Sequence, residues 1–248
     1  MRALLDGAPI TLQLPDAQDY VLPGVRWGRL DHLFTPAFWL CRTWYDRGRL
    51  PGSFRLGNDL TEEVVACLLG GHGLRAEVAI AAFHRLRESS LLFYERDIEA
   101  TIHGALTKPL RVGDRHVRYR YPAQRARFIA RALKRLSAEK PPIYSDVALR
   151  SWLATFDGIG LKTASWITRN YLESDNVAIL DVHVFRAGVL AKVFESKLRI
   201  SVDYRTLESR LIEFALALGV RLSVLDAVIW AHMRVLNRLG MRILSTCR

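Results

Sequence analysis

The sequence reads Phe156-Asp157-Gly158-Ile159-Gly160-Leu161-Lys162-Thr163-Ala164 between two segments whose apolar residues have helical spacing. Two glycines in three positions allow a tight turn between helices and let another molecule approach the backbone closely. The free amides at the start of the second helix can accept an anion such as a phosphate group. An ordinary helix–helix turn can have the same Gly-x-Gly spacing, so this pair alone leaves both interpretations open.

Lys162 and Asp181 are a second feature of the same region, 19 residues apart. An amine can attack a sugar carbon and a carboxylate can stabilise positive charge on that sugar, which in a basic chain indicates chemistry on DNA. The alternatives are a surface lysine and a helix N-cap aspartate. A P-loop is excluded because Leu161 separates Gly160 from the lysine, and a dinucleotide fingerprint because Thr163 occupies the third glycine position.

Composition favours a polyanionic partner. The 248-residue chain has 36 Lys and Arg against 25 Asp and Glu, a formal net charge of +11, and half of its residues are hydrophobic. These values predict a folded protein that binds nucleic acid. Cys41, Cys67 and Cys247 lie too far apart in sequence for a metal or iron–sulfur site. No signal peptide or membrane span is evident, so we predict a cytoplasmic (nucleoid) or nuclear protein that is not secreted.

The apolar periodicity predicts a mostly α fold. Residues 1–34 are interrupted by prolines and predict an extended arm or a small strand pair. Residues 107–122 are predicted to be an exposed loop. Helices are predicted from about residue 36 and near 61–69, 75–88, 95–105, 123–137, 145–156, 161–172, 182–194, 204–218 and 223–238.

Residues 111–135 are rich in arginine and contain one acid, Asp114. Beside a DNA-binding turn, Arg125 and Arg127 could contact phosphates, and binding should then weaken steeply with salt. A run of charge is also typical of a solvated helix face.

Taken together, the sequence resembles the helix-hairpin-helix glycosylase superfamily of DNA repair. The resemblance is strong over about 150–195, extends weakly back to about 60, and depends on Gly158, Ile159, Gly160, Lys162, Ala164 and Asp181. Val182-His183 and the segment 121–127 resemble the 8-oxoguanine DNA glycosylase/lyase branch. Asp157 departs from the family pattern, which has proline there. The absence of a cysteine cluster separates the chain from the endonuclease III branch.

The resemblance implies two helical lobes with a central cleft and a helix-hairpin-helix motif. Residues 61–174 would form a helical barrel lobe that ends in this motif. Residues 1–60 would form an N-terminal arm and helix packing on a C-terminal helical lobe of residues 175–248. The resemblance also implies a monomer that flips a base out of double-stranded DNA. It implies that no cofactor is needed, although a monovalent cation could bind at the hairpin carbonyls.

The resemblance further implies roles for individual residues. Lys162 would attack the anomeric carbon, Asp181 would stabilise the developing oxocarbenium charge, and Gly158 and Gly160 would dock on the DNA backbone. His72, in a glycine-rich turn, would fill the space left by the flipped base, or it is a solvent-facing loop histidine.

Three residues in the C-terminal part of the chain keep alternative interpretations. Asp226 and Trp230, one helical turn apart, would line the base pocket, as a similar pair does in some archaeal-type relatives. The alternative is a buried tryptophan beside a capping aspartate. His183 would orient Asp181 or contact phosphate, or it lies at the edge of the core.

These features predict a bifunctional DNA glycosylase/AP lyase that excises an oxidised purine, in the first place 8-oxoguanine. Two other functions stay open. One is a non-catalytic helix-hairpin-helix module that binds DNA without releasing a base. The other is a glycosylase for another modified guanine, because the resemblance leaves residues 1–60 unexplained.

Overall fold

The computed structural model describes residues 2–5, 8–50, 53–71, 73–89 and 97–246, and helices dominate them, which confirms the predicted mostly α class. The helices are α1 Pro36–Asp46, α2 Leu60–Leu69, α3 Ala76–Glu88, α4 Ile98–Thr107, α5 Pro122–Ala138, α6 Asp146–Leu153, α7 Leu161–Leu172, α8 Val182–Leu190, α9 Ile200–Ala217 and α10 Leu222–Thr246. A short 3-10 helix, Arg47–Arg49, follows α1. The strands are β1 Arg2–Leu5, β2 Ala8–Thr11, β3 Tyr20–Leu22, β4 Val25–Arg26, β5 Leu110–Val112 and β6 Arg115–Val117.

The chain divides into two compact units. One is Ser53–Ser174, and the other joins Met1–Gly52 to Asp175–Arg248. In the second unit, α1 packs on α10 and β3 contacts α9. The N-terminal and C-terminal parts of the sequence therefore share one unit, and the middle of the sequence forms the other.

Local side-chain chemistry sets the helix boundaries in the Ser53–Ser174 unit. Asp59 caps α2 by accepting a hydrogen bond from the N–H of Glu62 at 2.8 Å. Ser145 caps α6 in the same way, and the proline at the start of α5 has no N–H to leave unsatisfied. Gly70 ends α2 with an extended backbone.

A continuous apolar core holds the Ser53–Ser174 unit together. Its fully buried members come from every helix from α2 to α7 and include Val64, Leu68, Leu86, Ile102, Ile129, Leu149 and Ile167. Removing such a side chain from water contributes about 1.5–3 kcal/mol. This core packs α2 against α7, the helix that follows the predicted DNA-binding turn.

The structure corrects the loop predicted at residues 107–122. The segment contains the antiparallel hairpin β5–β6, in which Leu110 pairs with Val117. Leu110 is buried in the core, and Gly113 takes the positive φ of +59° that the tight turn requires. The prolines near its ends and the glycine in its middle resembled loop signals, and the apolar residues were too few to show the alternation of a strand.

Several helix bounds also differ from the prediction, among them the ends of α8 and α10. Helix α8 ends at Leu190, short of the predicted 194, because Lys192 adopts a left-handed backbone with φ +61°. Helix α10 continues to Thr246, past the predicted end near 238. Gly240 lowers helix propensity there but does not break the helix.

For residues 1–34, the strand-pair alternative is confirmed, because β1 pairs with β2 and β3 with β4, both antiparallel. Within the described residues, no helix is both long and apolar enough to cross a membrane. The same part of the chain brings no three His, Cys, Asp or Glu side chains together as metal ligands.

Candidate active site

The turn between α6 and α7 is fixed by steric fit. Gly158 has φ +79°, and a Cβ there would overlap the ring of Phe128 on α5. Ile159 is buried, and its N–H donates to the carbonyl of Phe156 at 3.1 Å. Gly160 differs, because its φ of −88° suits any residue and a Cβ would meet no atom of the described residues within 4 Å. The fold itself therefore explains the glycine at 158 and leaves the open backbone at 160 accessible from outside the protein.

Asp157 lies in this turn where the family has proline, and it is paired. Its carboxylate accepts a hydrogen bond from Arg131 on α5 at 2.6 Å, and both side chains are exposed. An exposed ion pair contributes little stability, typically about 0–1 kcal/mol. Its main effect is to reduce the negative charge that the turn would otherwise present.

Lys162 is the second residue of α7, and its side chain is half-buried. The first turn of α7 contains no acidic residue. Burial, followed by the nearby Glu63 carboxylate, raises the pKa of the Cys67 thiol well above its usual range, and the positive charges of Arg169 and Lys162 oppose that rise. The charge of Lys162 therefore lies close enough to α2 to influence the buried Cys67 thiol.

A buried carboxylate ties α7 to α2. Glu63 on α2 accepts hydrogen bonds from the N–H groups of Leu56 and Gly57 at 2.7 and 3.0 Å. It also accepts one from Nδ2 of Asn170 on α7 at 2.7 Å. Burial raises the pKa of Glu63, and these hydrogen bonds oppose the rise. The helix that carries Lys162 therefore has a polar connection to α2 inside the apolar core.

Asp181 is the N-cap of α8 in the other unit. Its Oδ1 accepts hydrogen bonds from the N–H groups of His183 and Val184 at 2.8 and 2.9 Å. Within the described residues, Oδ2 has no hydrogen-bond donor. Asp181 can therefore be both a helix cap and a reactive carboxylate, because capping through Oδ1 holds the group rigid and leaves Oδ2 available.

The segment before Asp181 is held by two side chains of α9. The hydroxyl of Tyr204 donates to the carbonyl of Ala178 at 2.7 Å, and Glu208 accepts from the N–H of the same alanine at 3.0 Å. Leu180 is fully buried. These contacts fix the backbone that leads into Asp181, and sequence analysis did not identify either α9 residue.

His183 contacts Asp181 through its main chain and not through its ring. Its ring is half-buried, and its Nδ1 is a buried atom without a hydrogen-bond partner in the described residues. The structure thus offers no ring contact by which His183 would orient Asp181.

The end of α2 is held by two long-range hydrogen bonds, and Gly70 lies close to α7. The hydroxyl of Tyr119 donates to the carbonyl of Leu69 at 2.7 Å, and burial raises the pKa of Tyr119 to about 12, so the hydroxyl stays protonated. Arg125 donates from Nη2 to the carbonyl of Gly70 at 3.2 Å. A Cβ on Gly70 would lie 3.2 Å from the ring of Trp166 on α7. His72 lies outside the described residues.

The two arginines predicted to contact DNA differ in their surroundings. Arg125 is half-buried and bound to the end of α2, and its buried Nε has no partner within the described residues. Arg127 is exposed, and its guanidinium lies 5.9 Å from the centre of the Phe128 ring. Arg127 therefore has the more accessible charge.

Asp226 and Trp230 both lie on α10, with very different exposure. Asp226 is 2% exposed and Trp230 is 40% exposed. The guanidinium of Arg234 lies 4.7 Å from the centre of the Trp230 ring, a cation–π contact that sequence analysis missed although the i,i+4 spacing could have revealed it. The ring thus has both an exposed surface and a cationic neighbour.

The sequence profile of the 8-oxoguanine DNA glycosylase family matches residues 54–220. The chain belongs to this family. It is therefore a DNA-binding glycosylase of the helix-hairpin-helix type, and the match covers both Lys162 and Asp181. No curated protein matches this chain in sequence.

Solved structures of 8-oxoguanine DNA glycosylases have a similar fold. That of Thermotoga maritima is 26% identical with a TM-score of 0.54, over 69% of this chain and 77% of its own. That of Methanocaldococcus jannaschii is 23% identical with a TM-score of 0.52, over 69% and 76%. The M. jannaschii 8-oxoguanine glycosylase/lyase in complex with 15mer DNA containing 8-oxoguanine is 22% identical with a TM-score of 0.52, over 69% and 78%.

Proposed function

We propose that this family member excises 8-oxoguanine from double-stranded DNA and then nicks the strand, with Lys162 as nucleophile. The observation that carries the proposal is the half-buried Lys162 in the first turn of α7, directly after a turn whose Gly160 backbone faces open space. Of the similar structures, one described as a glycosylase/lyase was solved with DNA containing 8-oxoguanine.

The nucleophile in this mechanism is the unprotonated Nζ of Lys162. It attacks C1′ of the flipped nucleotide, the C1′–N9 bond breaks, and the base leaves with that electron pair and takes up a proton. Opening of the sugar ring gives a Schiff base between Nζ and C1′. Loss of a C2′ proton then expels the 3′ phosphate, which nicks the strand. Such chemistry requires the base to leave the duplex stack first.

Asp181 supplies negative charge to this reaction. As the C1′–N9 bond breaks, positive charge develops on the sugar, and a fixed carboxylate stabilises it without reorganisation during the reaction. Oδ1 of Asp181 is committed to capping α8, so Oδ2 is the oxygen available for this role.

The remaining predicted residues bind DNA in this proposal. Gly158 and Gly160 dock the turn on the backbone, and His72 fills the space left by the flipped base. Arg127 and His183 contact phosphates, and Trp230 with Asp226 receives the base. Arg125 holds the end of α2 through Nη2, and in this proposal the same guanidinium also contacts DNA.

Borohydride trapping tests the proposal. Borohydride reduces a Schiff base to a stable amine, so a covalent protein–DNA adduct reports the intermediate. The native chain, Lys162→Gln and Asp181→Asn are incubated with duplexes that carry 8-oxoguanine or an abasic site. Lys140→Gln is the matched control, because Lys140 is an exposed lysine of the same unit. Size-exclusion chromatography with light scattering tests the expected monomer.

Each outcome decides between functions. An adduct with the 8-oxoguanine duplex that is lost in Lys162→Gln and retained in Lys140→Gln supports the proposal. An adduct with the abasic duplex alone overturns the proposed base and directs the search to another modified guanine. Binding without any adduct overturns the lyase and favours a module that binds DNA without lysine chemistry.

A further inference from the structure

A shallow groove beside the glycines after α2 has no role in the proposed chemistry. It has a volume of about 400 Å³ and lies between the start of α3 and the chain that follows β6. Leu74, Val78 and Val117 give it apolar side chains. Both walls belong to the Ser53–Ser174 unit, so the groove is complete within one unit.

Three arginines surround this apolar floor. Arg75, Arg118 and Arg120 line the groove, and all three side chains are exposed. None of the described residues that line the groove is acidic. Within the described part of the chain, Arg75 and Arg118 have no hydrogen-bond or ion-pair partner, so their charges are available to a ligand. Arg120 stacks on the Tyr121 ring, 5.1 Å from its centre.

The backbone around the groove is fixed before any ligand binds. Tyr119, which also lines the groove, donates its hydroxyl to the carbonyl of Leu69 at 2.7 Å. Gly73 has φ +77°, and a Cβ there would lie 2.9 Å from a guanidinium nitrogen of Arg120. The Gly73 backbone therefore lies close to Arg120 across the groove, and Tyr119 is anchored to the end of α2, without any contribution from Arg75 or Arg118. A preformed site loses less entropy on binding.

We propose that this groove binds the sugar-phosphate backbone of duplex DNA as a second contact surface, separate from the turn at residues 158–160. Arginine recognises phosphate oxygens with paired donors, and an apolar floor fits the face of a deoxyribose. The net charge of +11 agrees with a polyanionic ligand. The inference rests on the proposed function only in taking duplex DNA as the partner.

The slope of binding against salt tests this groove directly. Fluorescence anisotropy measures the Kd of an undamaged labelled duplex over a series of KCl concentrations. Each lost phosphate contact reduces the log–log slope by about 0.9, so Arg75→Gln and Arg118→Gln should each remove about 0.9 and the double variant about 1.8. Lys140→Gln is the control, because Lys140 lies two residues beyond the far end of α5, whose 17 residues span about 25 Å. It should leave the slope unchanged.

Neutral methylphosphonates at single positions of the duplex locate the contact. We expect at least one position where neutralisation weakens native binding and leaves binding by the double variant unaffected. The groove proposal is overturned if the double variant keeps the native salt slope and the native Kd. It is also overturned if Lys140→Gln loses as much slope as the arginine variants. Base release by the native chain is measured separately. A native chain that releases no 8-oxoguanine while the double variant loses slope would refute the proposed function and leave the groove intact.

Discussion

Lys162 and Asp181 are placed by different kinds of interaction. The turn before Lys162 is fixed by shape, because Gly158 fits against the Phe128 ring where no larger residue could. The segment before Asp181 is fixed by single polar atoms, such as the hydroxyl of Tyr204. Steric fit does not depend on protonation, whereas a buried hydrogen bond is lost with one atom. The two residues should therefore fail under different perturbations.

The largest expected effect comes from separating the two roles of Asp181. Asparagine is also a good N-cap, so Asp181→Asn should keep the free energy of unfolding within about 0.5 kcal/mol. Loss of the negative charge should lower the single-turnover rate of base excision by about 10²–10³. Urea denaturation and single-turnover kinetics measure the two quantities. Asp181→Ala should in addition lose about 1 kcal/mol of stability. Native excision by Asp181→Asn would contradict the electrostatic role.

The two glycines of the turn allow a matched test of whether steric fit fixes the backbone before Lys162. Gly158→Ala should lower the free energy of unfolding by about 2–4 kcal/mol, because it combines overlap with the Phe128 ring and a positive φ. Gly160→Ala should stay within about 1 kcal/mol of native stability and weaken duplex binding. Urea midpoints and anisotropy give the two values. Equal destabilisation by both changes would show that steric fit at residue 158 does not fix the turn.

Two buried tyrosines test whether single hydrogen bonds fix the backbone at the segment before Asp181 and at the end of α2. Tyr204→Phe leaves the carbonyl of Ala178 without its donor, and Tyr119→Phe does the same to Leu69. Each substitution should lower the free energy of unfolding by about 1–2 kcal/mol. Tyr204→Phe should also lower excision about tenfold at saturating DNA, since small displacements of catalytic groups are costly. Tyr119→Phe should instead raise the Kd for duplex. The same kinetic change in both variants would indicate general loosening of the fold.

The smallest expected effect is a pH dependence at the start of α10. Burial acts to raise the pKa of Asp175, but hydrogen bonds from Arg221 and Ser223 outweigh it, and the pKa lies below its usual value. A carboxylate with a lowered folded-state pKa adds stability above the unfolded-state pKa of about 3.9, and this stability is lost as pH falls through the folded-state value. Asp175→Asn should remove this contribution, well under 1 kcal/mol for a partly exposed pair. Urea midpoints at pH 7 and pH 3 measure it, and an unchanged difference between them would contradict the assignment.

The local backbone of the candidate site was predictable from neighbours along the chain. Gly158 and the capping position of Asp181 follow from local backbone geometry, which a short stretch of sequence specifies. Tyr204 could not be found in this way, because its partner Ala178 is 26 residues away. Tyr119 bonds across 50 residues to Leu69. Such contacts follow from how helices pack, and no periodic pattern marks them in advance.

The burial of Cys67 has a consequence for the durability of the protein itself. Cys67 and Cys41 are both buried, and burial raises the pKa of each thiol, which keeps the less reactive protonated form. Oxidants that damage guanine also attack exposed thiolates. The folded protein should therefore withstand the conditions that create its lesion, and peptide mass spectrometry after peroxide treatment should find both thiols unmodified until the fold is lost.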